Sequence, residues 1–146
     1  MRRIVTLAAA AAVLAGCGGG DAPSDEARVR DTLRTFATAV EKRDYQKLCD
    51  EVFAPKLLQG LQSIGLPCEI AMRTSLGEVK DPKLTVGSVT VSGKTASAQI
   101  KTSAAGQPPS TDTIKLEKVA SGWRVSALGA APGPTGSPAA SASAAP

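Results

Sequence analysis

The chain of 146 residues contains no histidine and no asparagine. Histidine is the side chain whose ordinary pKa lies nearest to neutrality, and it is the most common general base and a frequent metal ligand. Its absence excludes serine–histidine and cysteine–histidine nucleophile pairs. A metal site would need clustered carboxylates or thiolates, and Glu69, Glu78 and Asp81 are too scattered along the chain to form one. We therefore expect neither a metal centre nor a cofactor.

Aromatic residues are also scarce, and the chain has only four of them: Phe36, Tyr45, Phe53 and Trp123. None lies within a basic cluster, and basic residues alternate with acidic ones, as in the Glu-Lys-Arg-Asp stretch at residues 41–44. Surfaces that bind nucleic acids instead carry a basic patch or stripe, often with aromatic side chains for base stacking. The alternating pattern is typical of a solvated helix surface, so we expect no nucleic-acid partner.

Long apolar runs are missing too, because a membrane-spanning helix takes roughly 20 such residues. The longest run, residues 4–14, is uncharged and follows Arg2 and Arg3. A basic start, a short apolar stretch and then small residues are typical of a secretory signal peptide. A buried core helix is the alternative, although alanines beside three glycines would pack poorly. Losing Arg2 and Arg3 with the signal would leave 15 of the 17 basic residues against 13 acidic ones, so the net charge would fall from +4 to about +2.

The residues that close this run, Leu14-Ala15-Gly16-Cys17, resemble the lipobox of bacterial lipoproteins. The resemblance implies that the Cys17 sulfur receives a diacylglycerol and that a signal peptidase cuts before this residue. Residues 1–16 would then be the signal peptide and residues 17–23 a lipidated tether. Two or more acyl chains hold a protein firmly at a membrane. The resemblance therefore implies a lipid anchor at the extracytoplasmic face of the cell membrane.

At the other end, residues 129–146 consist only of glycine, alanine, proline, serine and threonine. Such a segment has no large apolar side chain with which to offset its ordering entropy, so we expect it to be disordered. Residues 24–128 remain between the tether and this tail. They are enough for one small domain.

Three cysteines occur, and lipidation of Cys17 would leave Cys49 and Cys68. An even remainder in an exported protein favours a disulfide between them. Two buried free thiols are one alternative. A metal pair is another, although it would need further ligands.

Apolar periodicity predicts helices in the first half of the domain. A serine at position 24 is a candidate N-cap, and apolar residues then recur at helical spacing to about residue 42: Val29, Leu33, Phe36, Ala37 and Val40. Asp44 can cap a second helix over residues 45–52. A third helix from residue 55 would bury Ile64, and a fourth from residue 67 would bury Ile70.

After Asp81-Pro82 the apolar period changes to two, which predicts strands. The parity of the apolar residues switches at Gly87-Ser88, which indicates a β-bulge. Residues 92–94 and 121–122 read as tight turns, and residues 103–110 read as a longer hairpin loop. Helices followed by about four antiparallel strands predict an α+β fold in which the helices cover one face of the sheet.

The stretch AVEKRDYQKLCDEV, a cysteine-linked helical segment and a four-strand meander that closes on SGWRVSAL together resemble the NTF2-like superfamily. The resemblance covers roughly residues 25–128. It implies a curved antiparallel sheet that wraps around the helices to form a cone with a pocket. The candidates for the pocket lining are Phe36, Tyr45, Met72 and Trp123. For Met72 and Trp123, a place in the core is the alternative.

Enzymes of this superfamily, such as the ketosteroid isomerase and SnoaL-like polyketide cyclase types, use a pocket Asp or His with Tyr and Asp partners. Here only Tyr45 with Asp44 or Asp50 could take that role, and Asp44 is better explained as a helix cap. We therefore expect a non-catalytic module, anchored through Cys17, that binds a small apolar ligand or another envelope protein. An isomerase- or cyclase-like enzyme and a purely structural accessory protein are the alternatives.

Overall fold

A computed structural model describes residues 22–129. Within this range, four α-helices precede four strands: α1 (Asp25–Lys42), α2 (Tyr45–Lys47), α3 (Pro55–Ser63), α4 (Cys68–Leu76), β1 (Lys83–Ser92), β2 (Thr95–Ala104), β3 (Gln107–Val119) and β4 (Gly122–Ala127). None of these helices combines the length and the apolar character needed to cross a bilayer. The predicted signal peptide, Cys17 with most of the tether, and residues 130–146 of the predicted tail lie outside the described residues.

The first helix, α1, begins where the sequence predicts. The Ser24 hydroxyl accepts a hydrogen bond from the backbone N–H of Ala27 at 3.2 Å, which satisfies one of the free donors at the helix start. The helix ends at Arg43, whose backbone is left-handed (φ 56°). Its buried face is one continuous stripe: Val29, Leu33, Phe36 and Ala39. This stripe packs against the sheet.

The second predicted helix is only partly α-helical. Asp44 acts as the predicted cap, since its Oδ1 accepts from the backbone N–H of Lys47 at 3.0 Å. After α2, the chain widens into a π-helical turn, Leu48–Val52, which the sequence pattern did not indicate. A π turn spaces its hydrogen bonds five residues apart instead of four. The wider turn brings three neighbouring apolar side chains to the core: Leu48, Cys49 and Val52.

The outer sides of α3 and α4 differ from the prediction. Ile64 and Ile70, both expected to face inward, are 73% and 49% exposed. The helix α3 ends at Ser63, and the backbone of Ile64 (φ −100°, ψ 12°) has already left the helical conformation. Its side chain therefore does not continue the apolar face. In α4 the buried positions are Ala71 and Met72, which turns Ile70 outward.

The disulfide predicted from the cysteine count is present. It joins Cys49 in the π-helical turn to Cys68 at the start of α4, with the two Cα atoms 6.0 Å apart. The bridge encloses α3, none of whose residues is fully buried. Three leucines of α3 are only partly buried against the core: Leu57, Leu58 and Leu61. The bridge thus fixes a segment that packing alone holds weakly.

The four strands form one antiparallel sheet in the order β1-β2-β3-β4. The predicted bulge is confirmed, because the register of β1 on β2 shifts between Val86 and Val89. The predicted turns at residues 92–94 and 121–122 are confirmed as well. The inward side chains of the sheet complete the core with α1 and the π-helical turn. The largest fully buried side chains are Phe53, Leu33, Leu48, Ile114, Leu116, Val29, Val52 and Val125.

The predicted long loop at residues 103–110 is not found. Instead β2 runs to Ala104 and β3 begins at Gln107, with Gly106 (φ 77°) in the tight turn between them. The pattern misled because Pro108 and Pro109 lack backbone donors and normally argue against a strand. Here the prolines lie within an irregularity of the β2–β3 ladder, between the paired residues Gln107 and Ser110, where the ladder does not need their backbone donors.

Each edge of the sheet carries a contact from outside the ladder. At the β1 edge, Arg30 Nη1 donates to the carbonyl of Gly87 in the bulge at 3.0 Å, and Glu26 holds the same guanidinium at 3.0 Å. At the β4 edge, Phe53 forms a parallel bridge with Val125. These contacts tie both outer strands to the helical layer.

Candidate functional site

A cleft opens between the C-terminal half of α1 and one end of the sheet. Its volume is about 390 Å³, which falls within the range of roughly 300–1,000 Å³ typical of small-molecule sites. We call this space the cleft. Its walls come from α1, the end of α4, the start of β1, the end of β2 and the start of β3. Most of the large side chains in these walls are apolar: Phe36, Val40, Leu76, Leu84, Ile100 and Ile114.

The polar side chains of the cleft include three that form a chain of hydrogen bonds. Thr102 Oγ1 lies 2.8 Å from Ser110 Oγ, and Ser110 Oγ donates to Asp112 Oδ2 at 2.8 Å. A hydroxyl has one proton and a carboxylate has none to give. Since the single hydroxyl proton of Ser110 is donated to Asp112, Thr102 must be the donor in its hydrogen bond with Ser110. Both hydroxyl protons are therefore directed towards the carboxylate.

The second carboxylate oxygen of Asp112 is left open. Within residues 22–129, Asp112 Oδ1 accepts no hydrogen bond from a protein group. No buried polar side-chain atom of this range lacks a partner, so Oδ1 is accessible. The half-buried carboxylate thus presents a free acceptor where it lines the cleft.

Asp112 is the residue that the sequence analysis missed. It has the same strand parity as Ile114 and Leu116, which are buried on the inner face of β3. Extending that alternation back by two residues would have turned Asp112 inward. The predicted loop ended at residue 110, but the inward alternation was recognised only from Ile114 onward. The feature that could have identified Asp112 is therefore a carboxylate at a strand position where the alternation predicts an inward, apolar residue.

After β4, the backbone passes close to Asp112. Gly129, the first residue of the predicted tail, lines the cleft. A Cβ atom at this position would lie 2.9 Å from the Cβ of Asp112, which is too close for an ordinary contact. Glycine therefore allows the backbone to approach the aspartate at this position, where a larger residue would collide with it.

The four predicted lining residues separate into two groups. Phe36 lines the cleft, whereas Tyr45, Met72 and Trp123 do not. Met72 and Trp123 are buried in the core, which is the alternative that we considered for them. Tyr45 packs against the edge of the core after α1 has ended. The prediction differs from the structure because a large aromatic side chain is as suitable for a core position as for a pocket wall.

Trp123 closes the end of the domain opposite the cleft. Its indole Nε1–H donates to Asp25 Oδ1 at 3.1 Å, and Lys118 Nζ lies 2.8 Å from the same oxygen. The hydrogen bonds from Lys118 and then Trp123 lower the pKa of the Asp25 carboxyl below its ordinary value. Lys118 also lies 5.9 Å from the centre of the Trp123 ring. The start of α1 is thereby fixed to β3 and β4.

The chemistry available in the cleft is limited. Asp112 and Lys83 are its charged side chains among the described residues, and Lys83 is exposed at the rim. The Tyr45 group expected for an enzyme is not assembled there, and Asp44 is committed to capping α2. Nowhere in residues 22–129 do three cysteine or carboxylate side chains cluster as a metal site requires. The arrangement is suited to holding a ligand that has an apolar body and a polar end.

Comparison with known proteins finds likeness at the level of the fold. No protein-family model matches the chain, and no curated protein matches it. Among solved structures, an NTF2-like protein of unknown function from Silicibacter pomeroyi is 18% identical, with 68% of this chain and 87% of that chain covered and a TM-score of 0.50. An NTF2-like protein of unknown function from Shewanella baltica is 17% identical, with 67% and 85% covered and a TM-score of 0.48. A candidate dehydratase of the NTF2-like family from Streptomyces avermitilis is 14% identical, with 69% and 90% covered and a TM-score of 0.48.

At these identities the likeness bears on architecture and not on activity. The Silicibacter pomeroyi structure supports the same arrangement of helices on a curved, four-stranded antiparallel sheet. The α+β prediction is confirmed, and the domain has an NTF2-like fold.

Proposed function

We propose that the protein is an exported lipoprotein, anchored through Cys17, whose domain binds a small and largely apolar molecule without transforming it. The observation that carries this proposal is the cleft. Its walls are mainly apolar, its volume suits a small ligand, and it opens to solvent at one end of the domain. A polar cluster on one wall gives a bound molecule a defined orientation.

Within residues 22–129, no second acid–base group lies beside Asp112, and this favours binding over catalysis. Proton transfer in an enzyme usually needs a base together with a group that stabilises the developing charge. Among the described side chains that line the cleft, only the Ser110 hydroxyl donates to Asp112, and Ser110 in turn accepts from Thr102. A carboxylate held in this way is suited to receiving a donor from a ligand.

The anchor is supported by the sequence of the first seventeen residues and by the disulfide. Leu14-Ala15-Gly16-Cys17 follows a basic start and a short apolar run. Disulfides persist in oxidising compartments such as the bacterial cell envelope. The bridge between Cys49 and Cys68 therefore fits an exported domain.

Filling the cleft is expected to abolish binding of an apolar probe. We propose titrating N-phenyl-1-naphthylamine, whose fluorescence rises in apolar sites, into the full chain carrying Cys17→Ser, which cannot carry acyl chains on residue 17. Ala37 lines the cleft on α1, so Ala37→Trp should weaken probe binding at least tenfold. Thr38→Trp is the matched control, because Thr38 is exposed on the same helix and does not line the cleft. Equal binding by both variants, or no binding by the parent chain, would contradict a ligand-binding cleft.

Removing the Cys17 sulfur is expected to release the protein from the membrane almost completely. In a bacterial host, Cys17→Ser should move the protein to the soluble fraction, because no thioether to diacylglycerol can form. Gly19→Ser is the control, since it leaves the four lipobox residues intact and should stay with the membrane. Mass spectrometry of the first peptide checks the cause. Retention of Met1, or an unmodified Cys17 thiol in the parent protein, would overturn the anchor.

A further inference from the structure

We infer that the ligand of the cleft is an amphipathic cation, with an apolar body and an amine head that binds Asp112. The inference rests on the proposed function, because it names the chemical class of the molecule that the cleft would hold. It follows from the direction of the hydrogen bonds in the polar cluster, from the apolar surroundings of Asp112 and from the position of Lys83.

The polar cluster can accept hydrogen bonds but has none left to give. Thr102 donates to Ser110, and Ser110 donates to Asp112. The free sites of the cluster are lone pairs, foremost those of Asp112 Oδ1. A ligand group that meets this wall must therefore be a donor. An ammonium head brings up to three N–H donors and a positive charge, whereas a carboxylate head brings neither.

The surroundings of Asp112 strengthen this preference. Its partner across the ladder is Ile100 on β2, and Ile114 follows on the same face of β3. Both isoleucines are buried, so the carboxylate sits at the edge of an apolar surface. Charge-assisted hydrogen bonds are roughly twice as strong as neutral ones, and charges interact more strongly where the effective dielectric is low. An alkyl or ring system beside these side chains would keep water away from the ion pair.

Lys83 is the competing charge, and its position weakens its influence. Lys83 is exposed on β1, with strand parity opposite to that of the inward Leu84. An ammonium in that setting is surrounded by water, and its interaction with an anionic ligand is screened. The half-buried Asp112 carboxylate is therefore the stronger determinant of head-group charge.

The test compares three ligands that differ only in the head group. Octylamine, octanol and octanoate are used to displace N-phenyl-1-naphthylamine from the full chain carrying Cys17→Ser at neutral pH. We expect octylamine to bind about tenfold more tightly than octanol, with octanoate the weakest. In Asp112→Asn, the advantage of octylamine over octanol should fall to within about threefold. Asp31→Asn is the control, because it removes the same charge from an exposed position on α1 and should keep the advantage.

Each outcome separates the inference from the proposed function. Probe binding with no preference for octylamine, a preference for octanoate, or no displacement by any of the three overturns the amine inference and leaves the cleft as a binding site. No probe binding at all overturns the proposed function. If Asp112→Asn does not fold, Asp112→Thr provides a second uncharged variant, since threonine suits a strand position. An octylamine advantage that survives in a folded Asp112 variant overturns the inference as well.

Discussion

Replacing Trp123 with alanine is expected to lower the free energy of unfolding by about 3–5 kcal/mol, the usual cost of truncating a large buried aromatic side chain. The side chain is only 4% exposed and belongs to the main hydrophobic core. Small domains have a total stability of roughly 5–15 kcal/mol. The variant should therefore unfold at a much lower urea concentration, or fail to accumulate, and urea titration followed by circular dichroism measures the difference.

Trp123→Phe is the matched control for packing. Phenylalanine keeps much of the apolar volume but loses the Nε1–H donor to Asp25. We expect this variant to retain most of the stability that alanine removes. A loss as large as that of Trp123→Ala would mean that the hydrogen bond, and not the packing, makes Trp123 important.

The hydrogen bond has its own signature in the dependence of stability on pH. Lys118 and Trp123 lower the pKa of Asp25 below its ordinary value of 3.8. A lowered folded-state pKa contributes stability above the ordinary pKa, and this contribution is lost as the pH falls through the folded-state value. Wild-type stability should therefore decline below about pH 4 more steeply than that of Trp123→Phe. Parallel curves for the two proteins would contradict this role of the indole.

Loss of the Cys49–Cys68 disulfide is expected to cost about 3 kcal/mol in the chain-entropy description. The bridge spans 19 residues of sequence and encloses α3, which has no fully buried residue of its own. At 4–8 °C per kcal/mol, the melting temperature should fall by roughly 12–24 °C. The double variant Cys49→Ala with Cys68→Ala tests this by differential scanning calorimetry. Alanine is chosen because Cys49 is buried and serine would bring a hydroxyl into the core.

Reductant provides the control for this prediction. Dithiothreitol should lower the melting temperature of the wild-type protein towards that of the double variant, and it should leave the double variant unchanged. Hydrogen exchange should quicken first in α3 and α4, because the bridge anchors these helices. Equal melting temperatures for the oxidised protein and the double variant would show that packing alone holds them.

Much of the fold follows from local patterns in the sequence. The N-caps at Ser24 and Asp44, the apolar face of α1 and the bulge near Gly87 were each signalled by residue type and spacing. The π-helical turn and the exposure of Ile64 were not. Both depend on how α2 and α3 pack against the core. The identity of an apolar residue does not indicate which way its side chain points where a helix widens or ends.

The candidate site was predicted less well than the fold. Phe36 lies in the wall of the cleft, because its position in the α1 stripe fixes its direction. Asp112 was missed, because the inward alternation of β3 was recognised only from Ile114 onward. The contact between Gly129 and Asp112 joins distant parts of the chain, and no local pattern could indicate it. Sites of this kind depend on how neighbouring strands are aligned across a sheet. Sequence spacing predicts which residues share a face within one strand, but not which residues of two strands lie side by side.

The contacts at the two outer strands affect how neighbouring copies of the protein can associate. A bare strand edge can recruit the same edge of a neighbouring molecule and seed aggregation. Here Arg30 occupies a carbonyl in the bulge of β1, and Ala54 donates its N–H to Val125 of β4 at 2.8 Å. Under the proposed lipid anchor, many copies would share one membrane surface and meet at high local concentration. Their sheets could then pass side by side without joining into a continuous ribbon.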